Sequence, residues 1–131
     1  MHLESQGITC ELLDLRTLRP LDLAAIVASV RRTGRLLALD CGCATGSIAH
    51  DILAKVTEAC WSSLQAAPRA LAQPDFPEAT SSALIRQYHV RAEHIVDAVG
   101  AMLGVPVESR SLAERRTHPH DVPGHWFSGP F

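Results

Sequence analysis

The sequence predicts a three-layer α/β/α domain with a mainly parallel, Rossmann-like sheet, and three observations carry that expectation. Short apolar runs recur at residues 8–15, 36–40 and 68–72. Between and after them, apolar residues repeat every three or four positions, the stripe of a helix with one buried face. Residues that start and stop helices fall in the gaps: Asp22 and Ser47 before the stripes, Gly34 and Gly104 after them. Strand, helix, strand, helix, strand, helix is the rhythm of βαβ units. Three strands make a thin sheet, since most hold about four to six, so a strand is expected to be missing.

In residues 8–15 the alternation places Ile8, Cys10 and Leu12 inward, and Gly7 marks the turn before them. A short connection, residues 16–20, leads to a helix over residues 21–32, with Leu23, Ile26, Val27 and Val30 as its stripe. Asp22 suits the positive N-terminal end of that helix, and Arg31 and Arg32 the negative C-terminal end. The uninterrupted run Leu36, Leu37, Ala38, Leu39 marks a strand buried on both faces, ending in the carboxylate of Asp40. A glycine-containing loop, residues 41–46, precedes a helix capped by Ser47 and running to about residue 62. Residues 68–72 form a weaker strand, and the two prolines and three hydroxyl residues of 73–82 an irregular connection. A last helix covers residues 92–103, with Ile95, Val96, Val99, Met102 and Leu103 on one side. From Val105 onward Pro106, Pro119, Pro123 and Pro130 make an extended tail, either docked or disordered, so the expected division is 1–104 and 105–131.

Composition excludes several classes of function. The 131 residues suit one domain, and 47% hydrophobic with 20% charged is ordinary for a globular chain. A net charge of −2 gives no electrostatic reason to expect nucleic acid or an anionic membrane. No apolar run reaches the roughly 20 residues that span a bilayer. The N-terminus lacks the basic and apolar regions of a signal peptide, so a cytoplasmic location is the expectation. Cys10, Cys41, Cys43 and Cys60 include a C-x-C pair but no C-x-x-C, and reduced thiols are expected.

Two runs carry a resemblance. DLRTLRPLD at residues 14–22 is followed, at a specific spacing, by SVRRTGRLL at residues 29–37. Together they resemble the C-terminal domain of the transketolase-like group, nearest to beta subunits of thiamine-diphosphate-dependent pyruvate and branched-chain 2-oxoacid dehydrogenases. The likeness extends more loosely through Pro74-Asp75-Phe76-Pro77, Tyr88 and Ile95, and covers about residues 3–104. Two departures stand out. The family's strand runs into an acidic pair and a glycine, where this chain has Asp40-Cys41-Gly42. Its glycine-rich entry to the next helix, with an Ala-Glu-Ile, reads Gly46-Ser47-Ile48-Ala49-His50-Asp51-Ile52 here. By the same resemblance, the chain is expected to start after the family domain's first strand and most of a helix.

Several residues invite a functional reading. Arg16 and Arg19 flank a turn where ligands of open α/β sheets tend to sit, and paired guanidiniums suit phosphate or carboxylate. Equally, Asp14 pairing with an arginine, Pro20 fixing φ and Asp22 capping a helix would make the same segment an architectural corner. Asp40, Gly46, Ser47 and His50 outline a second, weaker loop site, which becomes catalytic only if Asp40 lies beside His50. The loop is neither G-x-G-x-x-G nor a Walker motif. In the tail, His118, His120 and His125 with Asp121 form the densest set of metal donors, although no bound metal is expected. Trp126, Phe127 and Phe131 suggest docking to a partner.

The resemblance implies a structural and subunit-interaction domain with no catalytic residue of its own. The parent enzyme would oxidatively decarboxylate a 2-oxoacid, with thiamine diphosphate and magnesium held outside this chain. Implied partners are an alpha subunit, a second beta subunit and the acyltransferase core. Alone, the chain is expected to self-associate. The alternatives are a free-standing anion-binding regulatory module, an autonomous enzyme at Asp40 and His50, or the C-terminal domain of a transketolase-type enzyme.

Overall fold

In the computed structural model of the chain, residues 2–78, 80–81, 84–85, 88–117 and 128 are described. Helix α1, Leu23–Thr33, begins where Asp22 Oδ1 accepts the Ala25 N–H at 3.0 Å. It ends at Gly34, whose φ of 70° lets its N–H reach the Val30 carbonyl at 2.7 Å. The left-handed conformation favours glycine here, and a side chain at Gly34 would have to displace the Gln65 side chain, whose atoms would lie 2.6 Å from it.

Strand β1, Leu37–Cys43, leads into helix α2, Ile48–Cys60, and then strand β2, Arg69–Gln73. The two strands run parallel, with Leu37, Ala38 and Leu39 opposite Arg69, Ala70 and Leu71. β1, α2 and β2 thus form one βαβ unit, and α2 packs on both strands. The turn after α1 is stitched to the segment after α2: Gln65 N–H donates to the Gly34 carbonyl at 2.8 Å, and Arg35 donates to Gln65 Oε1 at 2.8 Å. Helix α3, Ala92–Leu103, stops at Gly104, whose φ is 69°. It packs against a short helix α4, Arg110–Glu114.

The core lies between α1 and α2. Ile26 and Val30 from α1 meet Ile52, Val56 and Cys60 from α2, with Leu21, Leu36 and Leu64 packed around them. Val30 and Val56 are 1% and 0% exposed. A fully buried aliphatic side chain of this kind stabilises a fold by about 1.5–3 kcal/mol. Ile85, Tyr88, Val96 and Ala98 are also buried, and Phe76 meets the Tyr88 ring edge-on at 5.5 Å.

Helices and a parallel sheet bear out the α/β class, but residues 8–15 correct the sequence reading. They form no strand. Leu12 is 82% exposed, and Leu13, Leu15 and Leu18 are exposed as well. Strand structure needs a ladder of hydrogen bonds to a neighbour, and alternation alone does not supply one. Instead, Glu11 holds the segment against α1, accepting from Ser29 Oγ at 2.8 Å and pairing with Arg32. The sheet described is therefore β1 and β2 alone, not three strands.

The start of the tail is docked, and it departs from the extended chain expected by forming α4. Glu108 accepts the Ser111 N–H at 2.8 Å and its hydroxyl at 2.6 Å, which nucleates α4. Glu108 is held to the N-terminal turn as well. Its N–H donates to Gln6 Oε1 at 2.7 Å, and its carbonyl accepts from Gln6 Nε2 at 3.0 Å. Arg116 and Glu93, both largely buried, tie the end of this segment to the first turn of α3. Burial disfavours the Glu93 charge, but the hydrogen bond and positive charge of Arg116 outweigh it and hold the carboxyl below its usual range.

Candidate functional site

A group of interacting polar side chains lies at the C-terminal end of the parallel strands, the end of open α/β sheets where ligands gather. Here β1 departs from regular pairing. Leu39 faces Leu71 and Cys43 faces Gln73, so Asp40, Cys41 and Gly42 together stand opposite the single Ala72. Asp40 shapes this bulge from within, its Oδ1 accepting the Gly42 N–H at 2.9 Å. The ladder then continues for one step, with Ala44 N–H donating to the Gln73 carbonyl at 2.8 Å.

The loop before α2 is clamped by a residue that the family likeness includes but to which the sequence assigns no role. Asp75 accepts the Thr45 N–H at 2.8 Å and the Thr45 hydroxyl at 2.7 Å. Those two hydrogen bonds, with a smaller contribution from His50, hold the Asp75 carboxyl below its usual range. Gly46 turns the chain at φ 79°, and Ser47 caps α2 by accepting the His50 N–H at 3.3 Å. The Ser47 hydroxyl also contacts His50 Nδ1 at 3.0 Å. Asp40 therefore turns to Gly42 and His50 to Ser47, and the structure does not bring the two into a catalytic pair.

Tyr88 and His89 complete this end of the sheet. Burial, first, and the neighbouring Cys43 thiol push the Tyr88 phenol above its ordinary range. His89 Nδ1 contacts Gln73 Nε2 at 3.2 Å, and its Nε2 contacts Glu78 at 3.2 Å. The sequence signals for Asp75 are its place in the Pro74-Asp75-Phe76-Pro77 likeness and a carboxylate between prolines just after a strand. Nothing local signals its partner.

At the other predicted site, Asp14 and Arg16 form an ion pair at 3.0 Å, 73% and 86% exposed at the side chain. An exposed pair of this kind contributes about 0–1 kcal/mol. Asp22 caps α1, and Arg19 precedes Pro20 across a cis peptide bond, with Leu18 and Leu21 bridged around it. Trp126, Phe127, Phe131 and the donor set His118, His120, Asp121 and His125 lie outside the described residues. Among the described residues, no group of three or more His, Cys, Asp or Glu side chains could hold a metal ion. No described helix is long and apolar enough to cross a membrane.

These features define an α/β domain whose loops anchor the ends of a parallel sheet, with ligand-like residues engaged mainly with one another. Residues 1–95 match the family described as "Transketolase, C-terminal domain", and the chain belongs to it. Among curated relatives, it is 35% identical over 101 residues to the pyruvate dehydrogenase E1 component subunit beta of Rhizobium meliloti, covering 77% of this chain and 22% of that protein. It is 35% identical over 87 residues to the 2-oxoisovalerate dehydrogenase subunit beta of Bacillus subtilis, covering 66% and 27%. A mitochondrial pyruvate dehydrogenase E1 component subunit beta-1 from Arabidopsis thaliana is 38% identical over 96 residues, covering 73% and 26%. The chain thus spans about a quarter of the length of these relatives.

Proposed function

We propose that the chain serves as a structural and subunit-interaction domain in a 2-oxoacid dehydrogenase of the beta-subunit type, with no catalytic residue of its own. The observation that supports this best is the set of exposed leucines Leu12, Leu13, Leu15 and Leu18. They fall in and beside the DLRTLRPLD run that carries the family likeness. Exposed apolar residues gathered in one segment suit burial against another chain.

In this reading residues 1–104 form the packing domain, and Trp126 and Phe127, in the segment 105–131, dock against a partner. The partners are an alpha subunit, a second beta subunit and the acyltransferase core, in a cytoplasmic complex. Thiamine diphosphate and magnesium sit in the rest of the parent enzyme and supply the carbanion-stabilising chemistry when bound. This chain's contribution is to hold the surfaces that position those parts.

The test mixes the purified chain with an alpha subunit and a beta subunit lacking its own C-terminal domain. The proposal expects a heavier assembly and restored decarboxylation of a 2-oxoacid. A mixture no more assembled and no more active than the two subunits alone contradicts it.

A further inference from the structure

The segment of residues 105–116 is fastened at two points to elements other than its own. At the first, the Glu108 N–H donates to Gln6 Oε1 at 2.7 Å, and its carbonyl accepts from Gln6 Nε2 at 3.0 Å. His2 Nε2 contacts the same carbonyl. At the second, Arg116 pairs with Glu93 in the first turn of α3, their side chains only 13% and 15% exposed. Between the two points lies α4, a helix of five residues. Helices this short have little stability of their own, so the segment depends on what it is tied to.

What it lies on is apolar. Val107 sits close over Gly100, where an added side chain would meet it at 2.5 Å, and the Val105 N–H donates to the Gly100 carbonyl at 3.1 Å. Leu112 of α4 lines a pocket of about 200 Å³ together with Leu3, Ile8, Ile95 and Val96. Side chains around such a space lack contact atoms on that side, so packing holds this cover less firmly than its two polar ends do. The α1–α2 core is different, with Val30 and Val56 1% and 0% exposed. Segments with few buried apolar contacts open at a lower free energy than a packed core.

We propose that residues 105–116 are a strap that opens and closes as one unit over the apolar face of the N-terminal turn and α3, with the Glu108–Gln6 and Arg116–Glu93 contacts as its two latches. Closed, the strap shields Leu3, Ile8, Ile95 and Val96 from other chains. Open, it presents them as a patch suited to burial. That the patch then meets a partner subunit rests on the interaction-domain reading above, whereas the opening itself does not.

The test is amide hydrogen exchange of the full chain, with two ways of releasing a latch. Gln6→Ala cuts the first. The double variant Glu93→Gln, Arg116→Met cuts the second without leaving either charge buried alone. Each should speed exchange about 10-fold across the whole of residues 107–116, the loss of hydrogen bonds that one latch supplies. Binding of the apolar dye anilinonaphthalenesulfonate should rise in both, while α1 keeps its wild-type protection. Faster exchange only near Glu108 in Gln6→Ala, and only near Arg116 in the double variant, would show two independent contacts and overturn the proposal. An equal rise in α1 would show that the segment opens only with the whole chain, and would overturn it too. Both readouts use the chain alone, so a subunit mixture that fails to assemble leaves the strap standing.

Discussion

Asp75 accepts both the backbone N–H and the hydroxyl of Thr45, residues 30 positions apart that join the loop after β1 to the loop after β2. The carboxylate is favoured over the acid, so the Asp75 pKa lies below its ordinary value of 3.8. A depressed carboxyl contributes stability that is fully present above the unfolded value and is lost as pH falls through the folded one. Asp75→Asn should therefore melt below the wild type at neutral pH. The gap between the two should narrow only as pH drops below about 4. Thermal melts followed by circular dichroism across this range check it, and a gap independent of pH would contradict the ion's role.

Ser47 and Asp22 each accept the N–H that opens a helix, from His50 and Ala25 respectively. Replacing such a cap with alanine costs about 1 kcal/mol. Ser47→Ala should cost more than Asp22→Ala, because Ser47 is buried and water cannot replace its hydroxyl, whereas Asp22 is exposed. Urea denaturation of the two variants measures the difference.

Val56 lies at the centre of the α1–α2 core and Leu12 lies in solvent. Val56→Ala should destabilise the chain by about 2 kcal/mol, the transfer of two methyl groups plus an unfilled cavity. Leu12→Ser should change the stability of the isolated chain by less than about 0.5 kcal/mol, as surface substitutions do. Its effect should appear in association instead.

Gly100 is buried in α3, and a side chain there would meet Val107 at 2.5 Å and the Val105 carbonyl at 3.1 Å. Gly100→Ala should push the segment after α3 outward and loosen α4, despite alanine's better helix propensity. Amide exchange should rise at residues 107–114 and stay unchanged in α1. An equal rise in both helices would show general unfolding.

Much of the helical structure was legible because its signals are local. α3 spans the residues its stripe and Gly104 predict, α2 begins at the cap read from Ser47, and α1 begins at Leu23, two residues later than expected, with Asp22 as its cap. Predicted ends ran long where competing turns took over: α2 stops at Cys60 and a 3-10 turn, Trp61–Ser63, follows. Strand structure was less legible, since a strand depends on its neighbour. The alternation in residues 8–15 gave no warning that Glu11 would fasten the segment to α1 instead. The bulge that carries β1 on to Cys43 depends on Asp40 turning back to Gly42, a choice the apolar run does not encode. The Thr45–Asp75 clamp joins distant parts of the chain, so no spacing rule could find it.

The central claim is that this domain completes its apolar surface against another chain. Light scattering of the purified chain over a range of concentrations tests it most directly. With Leu12, Leu13, Leu15, Leu18 and Trp61 all exposed, the mass should rise with concentration, and Leu12→Ser with Leu15→Ser should reduce the rise. A clean monomer at high concentration, unchanged by those substitutions, would contradict the account.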